Sequence, residues 1–474
     1  MRDLTTQPQV REKLKITTIS GHGFKAVQVP PKASRDSVTG GLFQTLRSLV
    51  LGSEKEPVDR VAQPIQDEMA LLRDRCNQHL QKLGQLKADG IGSELLGELK
   101  ALKKEIASLT ESIHPQKTRL VARCQNGIVS IEKELGLRYT VDCLFDGGRA
   151  AVQVDVVVDC SRRKDGSYAL EHLGAGTFAD VYSATAFLPD GTKRIVALKV
   201  TKKEVLAEGK EVSLAVAQAE GGVLASLSHE NILHCYGVGT TSDGLPVLVL
   251  EQLAGSLSER ARHLSAREIA EAGRDLAHGL IYMHKEGFAH RDIKPANCFV
   301  VETFTEQNLR LTRQAKEAFK LGDLGAGVPF TEVDFENMVG TFGYMAPEFV
   351  LLNYLASKGV LSLPQIKNTL IQNDIFALGA TLYVLFTGKF PFDSRNYLMT
   401  VPIEKLTNEP EEVLRALPEI CSQAVQRVNN KLPQENIPDG LYAIIAKATS
   451  YDPRGRYQDV RSMLIDLQAY LIMD

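Results

Sequence analysis

The chain has almost no excess charge of either sign. Its 55 lysines and arginines face 58 aspartates and glutamates, a formal net charge of −3. That balance gives no overall reason to expect a nucleic-acid partner. No apolar run approaches the roughly 18 residues a bilayer-spanning helix needs, so no transmembrane segment is expected. The first stretch of chain also lacks the apolar core of a cleavable signal peptide. Cysteines are few and scattered: seven, with no C-x-x-C pair. That pattern argues against a disulfide framework or a zinc cage, and for reduced thiols. The expected frame is a soluble, cytoplasmic, multidomain chain. Its 474 residues, 44% of them hydrophobic, are enough for a packed core and roughly two to four domains.

Composition divides the chain. Residues 1–55 are polar, broken by Gly, Ser, Thr and Pro, and hold nine basic against four acidic residues. They read as a flexible segment, either a solvated tail or a targeting stretch. Residues 56–137 change to helical periodicity. Ile65, Met69, Leu72, Cys76, Leu80 and Leu83 form one apolar stripe. Leu95, Leu99, Leu102, Ile106, Leu109 and Ile113 form a second, and Leu120, Cys124, Ile128, Ile131 and Leu135 a third. Three short amphipathic helices must bury their faces, which predicts a small bundle or hairpin, a spacer or a module for a partner. Residues 138–166, with the Val-rich run 149–159 and a charged turn at 161–167, read as a strand-containing connector. The chemistry is expected in 167–474.

There, Leu173-Gly174-Ala175-Gly176-Thr177 opens a glycine-rich loop in which Ala179 replaces a third glycine. Alone it is weak evidence, since a flexible hairpin reads the same way. Lys199 follows on the alternating strand Val196-Ala197-Leu198-Lys199, and Glu220 lies on a helical stretch beyond it. Later come His290-Arg291-Asp292-Ile293-Lys294-Pro295-Ala296-Asn297 and Asp323-Leu324-Gly325. Gly340-Thr341-Phe342-Gly343-Tyr344-Met345-Ala346-Pro347-Glu348, Asp374-Ile375-Phe376-Ala377-Leu378-Gly379 and Asp452-Pro453 with Arg456 complete the series. In this order the motifs resemble those of the eukaryotic-like protein kinase family, over about two thirds of the chain.

The resemblance implies an α+β, bilobal protein-kinase fold, with a β-rich N-lobe and a helical C-lobe, here preceded by the helical bundle. It implies ATP and Mg²⁺ as cofactors and Ser/Thr-bearing proteins as substrates. By resemblance, Asp292 orients or accepts the proton of the substrate hydroxyl and Lys294 stabilises the transferring group. Lys199 holds the α- and β-phosphates and Glu220 positions it. Asp323 and Asn297, both hard oxygen donors, bind Mg²⁺. Leu173, Gly174, Ala175, Gly176 and Thr177 approach the phosphates. Val181, Ala197 and Phe299 enclose the adenine, and the backbone of Glu251 and Leu253 bonds its edge. Lys294 and Thr341 match the Ser/Thr class of the family. A pseudokinase scaffold and a small-molecule phosphotransferase are the competing readings. The complete set Lys199, Glu220, Asp292, Asn297 and Asp323 argues against the first. GTFGYMAPE, a platform for peptides, argues against the second.

Departures are local. Leu324 stands where the family has Phe. The 26-residue intervals from Asn297 to Asp323 and from Glu348 to Asp374 exceed the family's usual spacing. The second insert, with YLASKGVLSLPQIK, falls near the expected peptide site and is expected to tune substrate choice. Thr331 is the one hydroxyl between Gly325 and Gly340, flanked by Glu332, Asp334 and Glu336. Those carboxylates could occupy the Arg291 site in place of a phosphate, so activity without phosphorylation is expected. A basic leader and helical module before such a domain resemble bacterial effector kinases secreted into a host cytosol.

Overall fold

The computed structural model describes scattered positions at 70–86 and 122–126, and residues 92–109, 128–133, 135–143, 151–176, 179–202, 223–224, 226–240, 246–261, 264–301, 319–324, 327–331, 340–357, 359–391, 411–416, 432–434 and 436–473. Two compact units emerge, one drawn from residues 1–202 and 237–249, the other from 203–236 and 250–474.

In the first unit the second apolar stripe forms helix α1 (Ser93–Leu109). Leu95, Leu99, Leu102 and Ile106 are all buried, as 4-3 spacing on a 3.6-residue helix requires. Ile128 and Ile131 of the third stripe are buried in the helical residues 128–133. Most of the first stripe, and Thr177, Glu220, Gly325 and residues 302–318 and 332–339, lie outside the described residues.

Strands β1 (Arg138–Cys143), β2 (Val152–Val158), β5 (His172–Ala175), β6 (Ala179–Phe187), β7 (Lys193–Thr201), β8 (Cys235–Thr240) and β9 (Pro246–Glu251) make a seven-stranded sheet. The small hairpin of β3 (Cys160–Arg162) and β4 (Tyr168–Leu170) stands beside it. The sheet order is β2-β1-β8-β9-β7-β6-β5, and β2 also pairs with β6, which closes the ring. One edge of β6 is therefore shared: His172–Ala175 of β5 takes its first half, and Asp155–Val158 of β2 its second.

Hydrogen bonding thus runs across the boundary drawn at 166. The stretch read as a connector supplies two strands of the sheet that carries the glycine loop. The reason is burial. Val154, Val156, Val157 and Val158 are buried, and such a Val-rich strand can meet its backbone bonds only inside a sheet.

The second unit is mainly helical. Helix α2 (Ala266–Lys285) starts at a capping box in which Ser265 Oγ accepts from the Glu268 N–H. Strands β10 (Phe288–Ala289) and β13 (Val328–Pro329) pair, as do β11 (Cys298–Val300) and β12 (Phe319–Leu321). Helices α3 (Phe349–Ser357), α4 (Leu363–Thr387), α5 (Asp439–Ala448) and α6 (Val460–Met473) follow. By length and composition α4 could cross a membrane, but 78% of its apolar window is buried inside the protein, as in a core helix. It stops at Gly388, whose φ of 67° is the left-handed conformation of a helix end. The second insert proves to be helical, comprising α3, a turn at Gly359 and the start of α4. Ala289, Phe330, Met345, Phe349, Leu370 and Phe376 form a core cluster that links β10 and β13 to α3 and α4.

Candidate active site

In the first unit the glycine-rich segment is the tip of the β5–β6 hairpin. Gly174 faces Val181, Ala175 faces Asp180, and the Gly176 N–H donates to the Ala179 carbonyl at 2.8 Å. Leu173, Ala175 and Gly176 are exposed and Gly174 is half-buried. The Lys202 ammonium donates to the Gly176 carbonyl at 2.8 Å and pairs with Asp180 at 3.2 Å. Across β6 and β7, Val181 lies opposite Lys199 and Ser183 opposite Ala197. Residues opposite one another, and residues two apart on a strand, share a face. Val181, Ala197 and Lys199 therefore stand together.

In the second unit the acidic residue of HRD is held on both oxygens. Lys294 Nζ donates to Asp292 Oδ2 at 2.7 Å and Asn297 Nδ2 to the same oxygen at 3.0 Å. The Thr341 hydroxyl donates to Asp292 Oδ1 at 2.7 Å and accepts from Lys294 Nζ at 2.8 Å. Asn297 Nδ2 also donates to the Asp292 carbonyl at 2.8 Å. Its amide nitrogen being committed, its Oδ1 is the atom suited to a cation. In the sequence Thr341 stands only as a marker of the Ser/Thr class. The structure adds it to the Asp292 group.

The loop that carries Asp292 is anchored from below. The wholly buried Asp374 carboxylate accepts the His290 and Arg291 N–H groups, each at 2.9 Å, and meets His284 Nε2 at 2.8 Å. Burial alone would raise the Asp374 pKa, but the His284 hydrogen bond and the neighbouring histidines outweigh it and hold the carboxyl below its ordinary 3.8. Burial pushes His290 below its ordinary 6.5, against the pull of Asp374, Asp292 and Asp323. Beneath the same loop, burial pushes the Cys298 thiol up to about 12. Arg291 and Asp323 are the two non-glycine residues with positive φ among the described residues, at 67° and 53°. Left-handed backbone costs a side-chain-bearing residue energy and persists where surrounding contacts enforce it.

The pairing of Cys298 with Leu321, and the Gly322 N–H donating to the Asn297 carbonyl at 2.9 Å, bring the segments of Asn297 and Asp323 side by side. The Phe299 ring lies over Gly322. Among the described residues no three His, Cys, Asp or Glu side chains gather into a metal cage. Asp323 and Asn297 Oδ1 fit Mg²⁺, which binds through few protein oxygens and takes the rest from phosphate and water. Leu324 is fully buried, as an apolar residue in place of Phe should be. Near the expected adenine edge, the side chain of Glu251 turns to structure. It accepts from the His234 N–H at 2.6 Å and from Lys320 Nζ at 2.7 and 2.9 Å. Leu253 is half-buried just beyond it. Gly340, at φ 129°, passes so close to the Arg291 carbonyl that a Cβ there would stand 2.9 Å from it.

Glu348 and Arg456 form a buried two-toothed ion pair at 2.5 and 2.8 Å, tying A-P-E to the late D-P-x-x-R element. The protein kinase domain family matches residues 168–463, well over half of the chain. The chain belongs to the protein kinase family.

Similar proteins include serine/threonine-protein kinases of bacteria and of a mosquito. The probable serine/threonine-protein kinase PknB of Lactococcus lactis is 25% identical over 313 residues, 64% of this chain and 42% of the relative. Serine/threonine-protein kinase PrkC of Bacillus subtilis is 25% identical over 312 residues, 65% of this chain and 41% of the relative. Serine/threonine-protein kinase PLK4 of Aedes aegypti is 29% identical over 295 residues, 60% of this chain and 33% of the relative. The matched part thus spans between a third and about two fifths of the length of these relatives. Residues before 168 lie outside the family match.

Proposed function

We propose that the protein transfers the γ-phosphoryl group of ATP to serine and threonine hydroxyls of other proteins. The observation that carries this reading is the Asp292 carboxylate, whose Oδ1 already accepts a hydroxyl while Lys294 and Asn297 hold Oδ2. An incoming alcohol needs an acceptor of this kind. As its oxygen bonds to the γ-phosphorus, the bond to the bridging oxygen of ADP breaks and the hydroxyl proton passes to Asp292. The Lys294 ammonium, next to the same carboxylate, offsets charge on the moving phosphoryl group. Lys199, on the same sheet face as Val181, serves the α- and β-phosphates. The sheet face that carries Val181 and Ala197 offers the adenine an apolar surface. Asp323 and Asn297 would hold Mg²⁺, which would neutralise phosphate charge.

Label transfer from γ-labelled ATP to general protein substrates tests the reading. Asp292→Asn is expected to lower the rate on the order of 10²–10⁴-fold. Equal transfer by the variant and the unmodified chain would remove Asp292 from the chemistry. Transfer that survives phosphatase treatment and Thr331→Ala would support activity without phosphorylation. The helical insert at 349–373 is proposed to tune substrate choice. The effector setting rests on the basic leader together with the helical module, and export of the tagged full chain from a bacterial cell is its test.

A further inference from the structure

Helix α1 lies outside the part of the chain that the kinase family matches, yet it grips the first residue of that match. The Tyr168 N–H donates to Ser93 Oγ at 2.6 Å. The Lys100 ammonium donates to the Cys160 carbonyl at 3.1 Å and stands 5.4 Å from the centre of the Tyr168 ring. Gly97 faces the same ring, where a Cβ would come within 2.9 Å of Cδ2. One face of α1 thus seats both strands of the β3–β4 hairpin.

The two feet of that hairpin are Asp159 and Glu171, and both are bonded to β6. The Asp159 N–H donates to the Ser183 carbonyl at 2.9 Å, and the Ser183 N–H to the Glu171 carbonyl at 2.8 Å. The Glu171 N–H closes the triangle on the Asp159 carbonyl at 2.9 Å. The Asp159 carboxylate accepts the Ser183 and Thr185 hydroxyls, each at 2.9 Å. Glu171 is followed at once by β5, the first strand of the glycine hairpin.

A second connection reaches β6 through buried charge. Glu132, wholly buried, takes the Arg138 guanidinium at 2.6 Å and the Lys103 ammonium of α1. Arg138 also pairs with Asp155 of β2 at 2.8 Å, and Asp155 lies opposite Phe187 of β6.

We propose that α1 is a positioning element of the nucleotide-binding sheet: seated on the β3–β4 hairpin through Ser93, Gly97 and Lys100, it sets the glycine hairpin for ATP. The proposal rests on the kinase reading for its ligand, and on the contacts above for its mechanism. Nothing in α1 touches nucleotide in this account. Its effect passes through Tyr168, Asp159 and Glu171.

The full-length chain tests it with the double variant Ser93→Ala/Lys100→Met. Two measurements are made: hydrogen exchange of residues 172–187 without nucleotide, and the KM and kcat for ATP. We expect exchange about tenfold faster in the hairpin, and a KM about threefold to tenfold higher with kcat within about twofold. Gly97→Val, which crowds the Tyr168 ring, should act in the same direction. Ser93→Thr/Lys100→Arg should restore both readouts, and Lys104→Ala, exposed on the same helix, should change neither. Unchanged exchange at 172–187 overturns the proposal, and so does faster exchange with an unchanged KM. A fall in kcat alone also overturns it. If the unmodified chain transfers no phosphate, the kinase reading fails, and the exchange measurement alone decides the positioning.

Discussion

Asp292 is oriented by three donors on two oxygens, and each donor comes from a different step of the chain: Lys294, Asn297 and Thr341. The first two are site residues that the family resemblance of HRDIKPAN implies. Thr341, 49 residues away, is brought in only by folding. His290 illustrates how burial in this loop becomes pH dependence. Folded, its pKa lies below the ordinary 6.5. Below about that pH the unfolded chain binds a proton that the folded chain does not, so stability falls on acidification. His229, lowered mainly by burial, adds to the same window. Asp374 has the opposite chemistry, a carboxyl held below 3.8, so its stabilisation is complete above that pH and is lost only as pH drops through its lower folded value. The melting temperature should therefore decline from pH 7 toward pH 5, and His290→Leu should flatten part of that decline. A profile of the same slope in the variant would assign the dependence elsewhere.

At the scale of elements, the second unit is joined by polar anchors at points where apolar packing alone would leave register loose. Asp374 projects from α4 to hold the loop between β10 and β11. Glu348, just before α3, is clamped by Arg456 from beyond α5. Removing one partner strands the other charge in the interior, which costs more than the pair contributes. Arg456→Ala is expected to lower stability by about 3–5 kcal/mol, measured by denaturant unfolding, with a smaller loss if Glu348 is changed to Gln in the same chain. The long interval that holds α3, expected near the peptide site, is helical, and Phe349, Leu351, Leu352 and Leu355 are its buried apolar residues.

For the whole molecule, the family match begins at Tyr168, but the sheet it needs begins earlier. A chain starting at residue 168 would leave the second half of β6 without β2 and uncover Ala184 and Ala186, both fully buried in the full chain. Such a chain should unfold at a lower temperature than the full chain, or aggregate through the open strand edge. Equal melting temperatures would show that β1 and β2 are dispensable.

The sequence by itself determined the family and the apolar stripe of α1. These are matters of residue type at short spacing, and short spacing is what a chain states directly. Only the tertiary structure decided that 138–143 and 152–158 belong to the sheet, that Thr341 joins Asp292, and that α1 seats on Tyr168. Each of these is a contact between segments distant in the chain, set by which buried faces and unmet hydrogen bonds find one another on folding, and no local pattern encodes that choice.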